Sequence, residues 1–193
     1  TGGIRGNKRA VSKFEPRSFN MGLSRRAFQA TGGFCRIHPG EDPDLTLRLW
    51  QKGFETAFVE EAFVYHKRRI SWEKYFQQVK KFGQTRAILN RWHPQSRKIV
   101  HWFPTLFLIG FLISLLLLFV GEWGFIFIYI AYFILIFFDS KRINHSSQIG
   151  YLSVWAVCLQ FYAYGTGFLG ATLRILSSKK SPEELFPKLF FKK

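Results

Sequence analysis

The chain has 193 residues, 48% of them hydrophobic, and a formal net charge of +16 at pH 7. A charge of this size usually indicates a nucleic-acid partner, but here lysines and arginines flank long apolar runs, so anionic lipid headgroups are the simpler explanation and no nucleic acid is expected. The two cysteines, Cys35 and Cys158, are too few and too far apart to predict a disulfide framework or a zinc knuckle.

Three short segments in the first 70 residues are typical of β-strands, namely residues 19–23, 56–59 and 62–65. Two predicted helices alternate with them, and this alternation favours an α/β fold. The strands are too few for a closed sheet core, so we expect residues 1–70 to be part of a larger sheet domain. The chain opens on glycine-rich loop sequence without an initiator methionine, and we therefore expect the upstream half of that domain to be missing from it.

Both of these short helices carry start and stop signals. Ser24 is a favourable N-cap for a helix predicted at Arg25–Thr31, and the glycine pair that follows predicts its end. Pro43 fits the first turn of a second helix, which is predicted to run to Lys52 and to stop at the glycine after it.

A longer amphipathic helix is predicted from a cap at Ser71 to about Trp92. Its aromatic and aliphatic residues recur at three- and four-residue spacing, and lysines and arginines occupy its other faces. This pattern predicts that residues 71–101, the helix and its linker, lie in the membrane interface. A helix packed against the preceding domain is the alternative, and the two roles are compatible.

Residues 102–176 predict a transmembrane region, which is followed by a basic tail at 177–193. The run 103–120 contains no charged residue and would span about 27 Å as a helix, close to the thickness of a hydrocarbon core. A second apolar run, 123–138, follows after a turn of two residues. These two runs are predicted to cross the membrane as a hairpin.

A third apolar segment, 149–175, contains a glutamine and several glycines, which allow close helix packing or a break. The sequence leaves open whether this segment crosses the membrane or re-enters it. A complete third crossing would carry the basic tail to the far side, against the positive-inside rule.

Residues 40–45, Gly-Glu-Asp-Pro-Asp-Leu, carry the densest chemical signal of the chain. Adjacent acids at the start of a helix can serve as a general base, as metal ligands or as helix caps. Asp42 stands directly before Pro43 and would be a good N-cap, and Asp44 in the first turn would favour the helix dipole. The hexapeptide alone therefore leaves a purely structural role open.

Four motifs in order give these acids a context: Asn-Met-Gly-Leu-Ser-Arg-Arg-Ala-Phe at 20–28, Gly-Gly-Phe at 32–34, the hexapeptide at 40–45, and Val-Tyr-His at 64–66. In this order and spacing the chain resembles, over about residues 15–90, the C-terminal half of family 2 glycosyltransferases with a GT-A fold. The resemblance implies a membrane-anchored, inverting glycosyltransferase of the hexosyltransferase type.

The resemblance also implies the partners of the reaction. The donor would be a nucleotide-sugar, the acceptor a lipid-linked or polysaccharide glycan, and the cofactor a divalent metal, Mg²⁺ or Mn²⁺. The catalytic part would lie on the cytoplasmic face of the membrane, the inner membrane in a bacterium. Such an enzyme would serve polysaccharide biosynthesis of the cell envelope and would contact membrane lipids.

Residue roles follow from the same resemblance. The acid pair that matches Glu41 and Asp42 lies at the acceptor site in such enzymes, and the aspartate is the catalytic base. A positioned carboxylate is chemically suited to accept the proton of the attacking hydroxyl. His66 matches a histidine that helps to bind the metal on the donor diphosphate.

Two further sets of residues are candidates for substrate binding. The run 78–82 looks like a loose version of the Gln-x-x-Arg-Trp motif of processive synthases, with Gln78 kept, Lys81 in place of arginine and Phe82 in place of tryptophan. Arg68 and Arg69 would neutralise the departing nucleoside diphosphate or contact lipid headgroups.

The tripeptide Asp42-Pro43-Asp44 matches the pattern of the family's metal-binding Asp-x-Asp motif. That motif normally follows an apolar strand, and no such strand precedes the tripeptide here. We therefore expect the metal motif and the nucleotide-binding half to be absent from this chain, and the chain alone to be inactive. The rival interpretation is a non-catalytic membrane scaffold or lipid-binding protein, for which Glu41 and Asp42 are caps. A transport component would need more polar groups inside the spans than the sequence offers.

Overall fold

The computed structural model describes residues 14–65 and 71–191, and this part of the chain is built from helices. Short 3₁₀ turns connect several of them. The α-helices are α1 Arg25–Thr31, α2 Glu41–Gln51, α3 Trp72–Trp92, α4 Phe103–Leu118, α5 Gly124–Asn144, α6 Ser147–Leu176 and α7 Pro182–Leu185.

The predicted α/β fold is wrong for the described residues, which contain no strand and no sheet. β-pairing there is limited to two isolated bridges, Arg17 with Asn20 and Ile37 with Phe190. The segments 19–23, 56–59 and 62–65 lack regular secondary structure. A strand needs a neighbouring strand for its backbone hydrogen bonds, and none of these segments forms such a ladder with another described segment.

The short helices have the capping residues that position their ends. Helix α1 has the predicted bounds: the Ser24 hydroxyl accepts a hydrogen bond from the Ala27 amide, and Gly32 ends the helix with φ of 73°. Helix α2 begins earlier than a cap at Asp42 would allow. Gly40, with φ of 118°, is its N-cap, so Glu41, Asp42 and Pro43 form its first turn.

Helix α3 has its predicted N-cap, Ser71, and packs lengthwise on the second half of α6. The Tyr75 hydroxyl near the start of α3 donates to Gln160 at 3.1 Å, and Arg91 near its end donates to the Ile175 carbonyl at 3.2 Å. The two helices therefore run in the same direction. The amphipathic helix contacts the apolar region along its whole length.

Three helical segments are long and apolar enough to cross a membrane: Ile99–Leu118, Gly124–Asn144 and Ser147–Leu176. Helices α4 and α5 form an antiparallel hairpin, and aromatic rings join them to α6, with Phe107 packed on Tyr129 and Phe161. Helix α6 is continuous over its 30 residues, so the break allowed by its glycines does not occur.

The tail returns to the segment that leads into α2. The His38 amide donates to the Leu189 carbonyl at 2.7 Å, and the Phe191 amide donates to the Arg36 carbonyl at 2.9 Å. A buried apolar core joins this segment to α3, α6 and the tail. Its members are Ile37, Ala87, Ile88, Phe168, Ala171, Ile175, Phe186 and Leu189.

Candidate functional site

The two adjacent acids lie at the N-terminus of α2, in a turn that α3 holds in place. The Thr85 hydroxyl of α3 donates to the Pro39 carbonyl at 2.8 Å, and its methyl group fills the space that a side chain at Gly40 would need. A glycine with positive φ therefore fits this close approach. Since α3 also packs on α6, the acids are fixed relative to the apolar helices.

Asp42 is largely buried, with 10% of its side chain exposed, and its Oδ2 accepts a hydrogen bond from Arg17 at 3.3 Å. Burial raises the pKa of the Asp42 carboxyl, the Arg17 cation lowers it, and the neighbouring Glu41 raises it, with a net upward shift. A carboxylate with a raised pKa is a stronger base, which is the property that a proton acceptor requires.

Glu41 connects this turn to residues that precede it in the chain. Its carboxylate accepts a hydrogen bond from the Ser18 hydroxyl at 3.2 Å, and its other oxygen lies 3.1 Å from Nδ1 of His38. These contacts hold His38 at the edge of the site.

Asp44 faces a different set of partners from Asp42. It accepts hydrogen bonds from Arg48 at 2.8 Å and pairs with Nε2 of His93, the C-cap residue of α3, at 2.8 Å. Burial raises the pKa of the Asp44 carboxyl, but hydrogen bonds from His93, Cys35 and Arg48 outweigh burial and lower it. Asp44 thus ties α2 to the end of α3.

Cys35 takes part in this buried network as a neutral thiol. Burial and the neighbouring Asp44 carboxylate raise the pKa of the Cys35 thiol to about 12. The thiol therefore stays protonated at neutral pH and can donate to Asp44.

The described residues do not assemble a metal site. They contain no group of three or more His, Cys, Asp or Glu side chains that could hold an ion, and the carboxylates of Asp42 and Asp44 bind different partners. His66, the predicted metal ligand, lies outside the described residues.

A cleft of about 470 Å³ lies between the His38–Pro39 segment and the first half of α3. Its walls bring together the candidates Gln78 and Lys81 with His38, the side chain that pairs with Glu41. The other residues that line the cleft are Glu73, Lys74 and Gln77.

The sequence profile of glycosyl transferase family group 2 matches residues 19–140, which is more than half of the chain and includes α1 to α4 and both acids. The chain belongs to this family. The resemblance seen in the four motifs is thereby confirmed, and the protein is a glycosyltransferase with a sugar donor and an acceptor. No curated protein and no solved structure gave a match to the chain.

Several residue assignments for this family 2 glycosyltransferase stay predictions. Phe82 is 38% exposed and is not among the residues that line the cleft. Asp42 does not line the cleft either. Its neighbour in the chain, Glu41, contacts His38, and His38 lines the cleft. Arg68 and Arg69 lie outside the described residues.

The sequence did not predict other residues that contact the acids of the candidate site. Arg17 and His93 reach the acids of α2 from 25 and 49 residues away in the chain. Contacts at this separation leave no local pattern. His38 is three residues before Glu41. A titratable side chain so close to the acid pair was a local signal from which His38 could have been predicted as a site residue.

Proposed function

We propose that the protein transfers a sugar, with inversion, from a nucleotide-sugar donor to a lipid-linked or polysaccharide acceptor at the cytoplasmic membrane face. Asp42 is the general base of this reaction. The observation that supports it best is the buried position of Asp42, whose pKa is raised while Arg17 holds one of its oxygens. Membership of the family supports sugar transfer in general.

In the proposed reaction the acceptor hydroxyl oxygen attacks the anomeric carbon from the side opposite the leaving group. As the new C–O bond forms, the hydroxyl proton passes to the Asp42 carboxylate. The bond between the anomeric carbon and the phosphate oxygen breaks, and the nucleoside diphosphate leaves with the bonding electrons. A single displacement of this kind inverts the anomeric centre.

The cleft next to His38 is the proposed binding site of the acceptor, whose attacking hydroxyl would extend past His38 and Glu41 to reach Asp42. Gln78 offers an amide that can donate and accept hydrogen bonds, and Lys81 offers an ammonium donor, so both suit hydroxyl groups of a glycan. Their position on α3, which also fixes the turn at Gly40 through Thr85, would keep the acceptor aligned with α2.

The positions of the two ends of α6 support placing both of them on the same membrane face. If α4 and α5 each cross, the turn between α5 and α6 lies on the same side as α3. The end of α6 also lies there, because Ile175 is bound by Arg91 of α3. We therefore propose that α6 begins and ends on the side of the candidate site and makes no complete third crossing.

This arrangement is consistent with the distribution of basic residues. Lys141 and Arg142 at the end of α5 and Lys179 and Lys180 after α6 would share the side that holds the candidate site. The positive-inside rule makes such a side cytoplasmic. The predicted conflict with an exported basic tail then does not arise.

The function is tested by incubating membranes that contain the intact protein with a panel of radiolabelled nucleotide-sugars. We expect label from one donor to appear in the lipid extract or in polymer, and the new linkage to have the opposite anomeric configuration to the donor. Membranes without the protein are the control. A protein that is produced in the membrane but incorporates label from no donor would favour the scaffold interpretation.

A further inference from the structure

A second cavity, of about 610 Å³, lies where α3 ends and the chain turns into α4. It shares no residue with the cleft beside the acids. Three elements form its walls: the last turns of α3, the connection at 97–102, and the last turns of α6. The α6 wall, from Phe168 to Leu176, lies beyond the region that the family profile matches.

The rim of this cavity is positively charged. Arg91, Arg97 and Lys98 line it, and no carboxylate is among the described residues of its walls. Arg91 donates to the Ile175 carbonyl at 3.2 Å, and Arg97 donates through Nε to the Asn90 carbonyl at 2.8 Å. A guanidinium has five N–H donors, so an arginine anchored in this way can also bind an anion.

Two buried polar atoms belong to residues that line the same cavity. They are Oδ1 of Asn90 and Oγ1 of Thr172, and neither has a hydrogen-bond partner within residues 14–65 and 71–191. Buried polar groups in folded proteins are nearly always hydrogen-bonded. A ligand that accepts from the threonine hydroxyl and donates to the asparagine oxygen would satisfy both once these side chains rotate toward the cavity, because neither atom has accessible surface in the present conformation.

The remaining wall is apolar and lies at the start of the first candidate span. Ile99 and Leu176 are 86% and 77% exposed, and the Trp102 ring packs edge-on against Phe168. Ile99 begins a segment that is long and apolar enough to cross a membrane. If this segment crosses, the cavity lies at the boundary between water and lipid. A cationic rim above an apolar wall suits an amphiphile with an anionic head.

We propose that this cavity binds an anionic phospholipid whose headgroup carries hydroxyl groups. The lipid phosphate accepts hydrogen bonds from Arg97, Lys98 and the Thr172 hydroxyl, and a headgroup hydroxyl donates to Asn90. The acyl chains lie against Trp102 and the neighbouring aliphatic side chains. This site does not rest on the proposed transfer reaction, because it shares no residue with the cleft or the acids.

The test uses the full chain in detergent after removal of native lipid. Tryptophan fluorescence is titrated with phosphatidylglycerol brominated on its acyl chains, and with brominated phosphatidylcholine. The part of the quenching that is lost in Trp102→Phe reports the cavity. We expect brominated phosphatidylglycerol to reach half of the Trp102-dependent quenching at a concentration about tenfold lower than brominated phosphatidylcholine. Equal titration by the two lipids would overturn the proposal.

Two variants locate the headgroup, and a third is their control. Arg97→Gln with Lys98→Gln should weaken phosphatidylglycerol binding about tenfold, whereas Lys141→Gln with Arg142→Gln, which removes the same charge at the end of α5, should change it by less than about twofold. Thr172→Val keeps all charges and should weaken binding by about tenfold without lowering the melting temperature of the lipid-free protein. Equal effects of the two charge variants would show general surface attraction and contradict the site.

Inorganic phosphate distinguishes a lipid from a free anion. Phosphate in excess, with ionic strength matched by chloride, should leave the Trp102-dependent quenching by phosphatidylglycerol unchanged, because the acyl chains contribute to binding. Displacement of the lipid by phosphate alone would mean that the cavity is a site for free phosphate and would overturn the lipid assignment.

Discussion

Two aspartates in the first turn of α2, Asp42 and Asp44, have opposite electrostatic environments. Burial dominates at Asp42 and raises its pKa, although the cation of Arg17 lies beside it and lowers the pKa in part. At Asp44 the hydrogen bonds from His93, Cys35 and Arg48 exceed the effect of burial and lower the pKa. The first arrangement suits a proton acceptor and the second suits a permanent structural anion.

Asp44 should make the fold sensitive to acid. Because its pKa is lowered from 3.8, the ionised carboxylate stabilises the folded state above pH 3.8, and this contribution is lost as pH falls through the folded-state value. Asp44→Asn should cost about 2 kcal/mol at neutral pH and remove this acid-dependent loss. The melting temperature in detergent, followed from pH 7 to pH 3, measures both effects. Asp139→Asn, which changes an exposed carboxylate, is the control. An unchanged pH dependence in Asp44→Asn would contradict this role.

The cleft residues should affect acceptor binding more than turnover. Gln78→Ala and Lys81→Ala each remove a polar group from the cleft wall and should raise the KM for acceptor about fivefold with little change in kcat. Gln84→Ala, on the same helix but not in the wall of the cleft, is the matched control. If all three variants have the same KM, the acceptor does not occupy this cleft.

The sequence correctly predicted the helix ends that are determined by short-range contacts. The caps Ser24 and Ser71 act on amides three residues later, so their helices could be placed from local pattern alone. The start of α2 was misplaced because Gly40 is fixed by Thr85, which is 45 residues further along the chain. The predicted strands failed for a related reason, since their propensity is expressed only beside a pairing partner.

The packing of α3 on α6 depends on two glycines. A methyl group at Gly83 would meet the backbone of Tyr164 and Phe168, and one at Gly167 would meet the backbone of Lys80. Gly83→Ala and Gly167→Ala should each lower stability by about 1–3 kcal/mol. In Gly170→Ala, where nothing lies within 4 Å, stability should stay unchanged or rise slightly. Thermal melting in detergent compares them, and equal melting temperatures would contradict close packing at this crossing.

The apolar helices and the candidate site form one connected structure. The tail pairs with the residues before α2, and the core that surrounds Ile37 includes residues of α3, α6 and the tail. The candidate spans could be predicted from the hydropathy of the sequence. Their contacts with the candidate site could not. That connection depends on contacts such as Ile37 with Phe190, which are 153 residues apart.

The proposed topology predicts which turns are accessible from each membrane face. Single cysteines are placed at Glu122→Cys, His145→Cys and Lys179→Cys, after replacement of the native cysteines by Cys35→Ser and Cys158→Ala. A membrane-impermeant maleimide applied to sealed vesicles of known orientation should label positions 145 and 179 from one side and position 122 from the other. Labelling of 122 and 179 from the same side would mean that α6 crosses completely.

The most direct test of the proposed function is the turnover of Asp42→Asn in the intact protein. Asparagine has nearly the same shape as aspartate but cannot accept the proton, so sugar transfer should fall about 10²- to 10⁴-fold while protein level and donor binding stay close to those of the wild type. Asp139→Asn, which removes an exposed carboxylate at the end of α5, should keep full activity. Wild-type turnover by Asp42→Asn would contradict the assignment of Asp42 as the base.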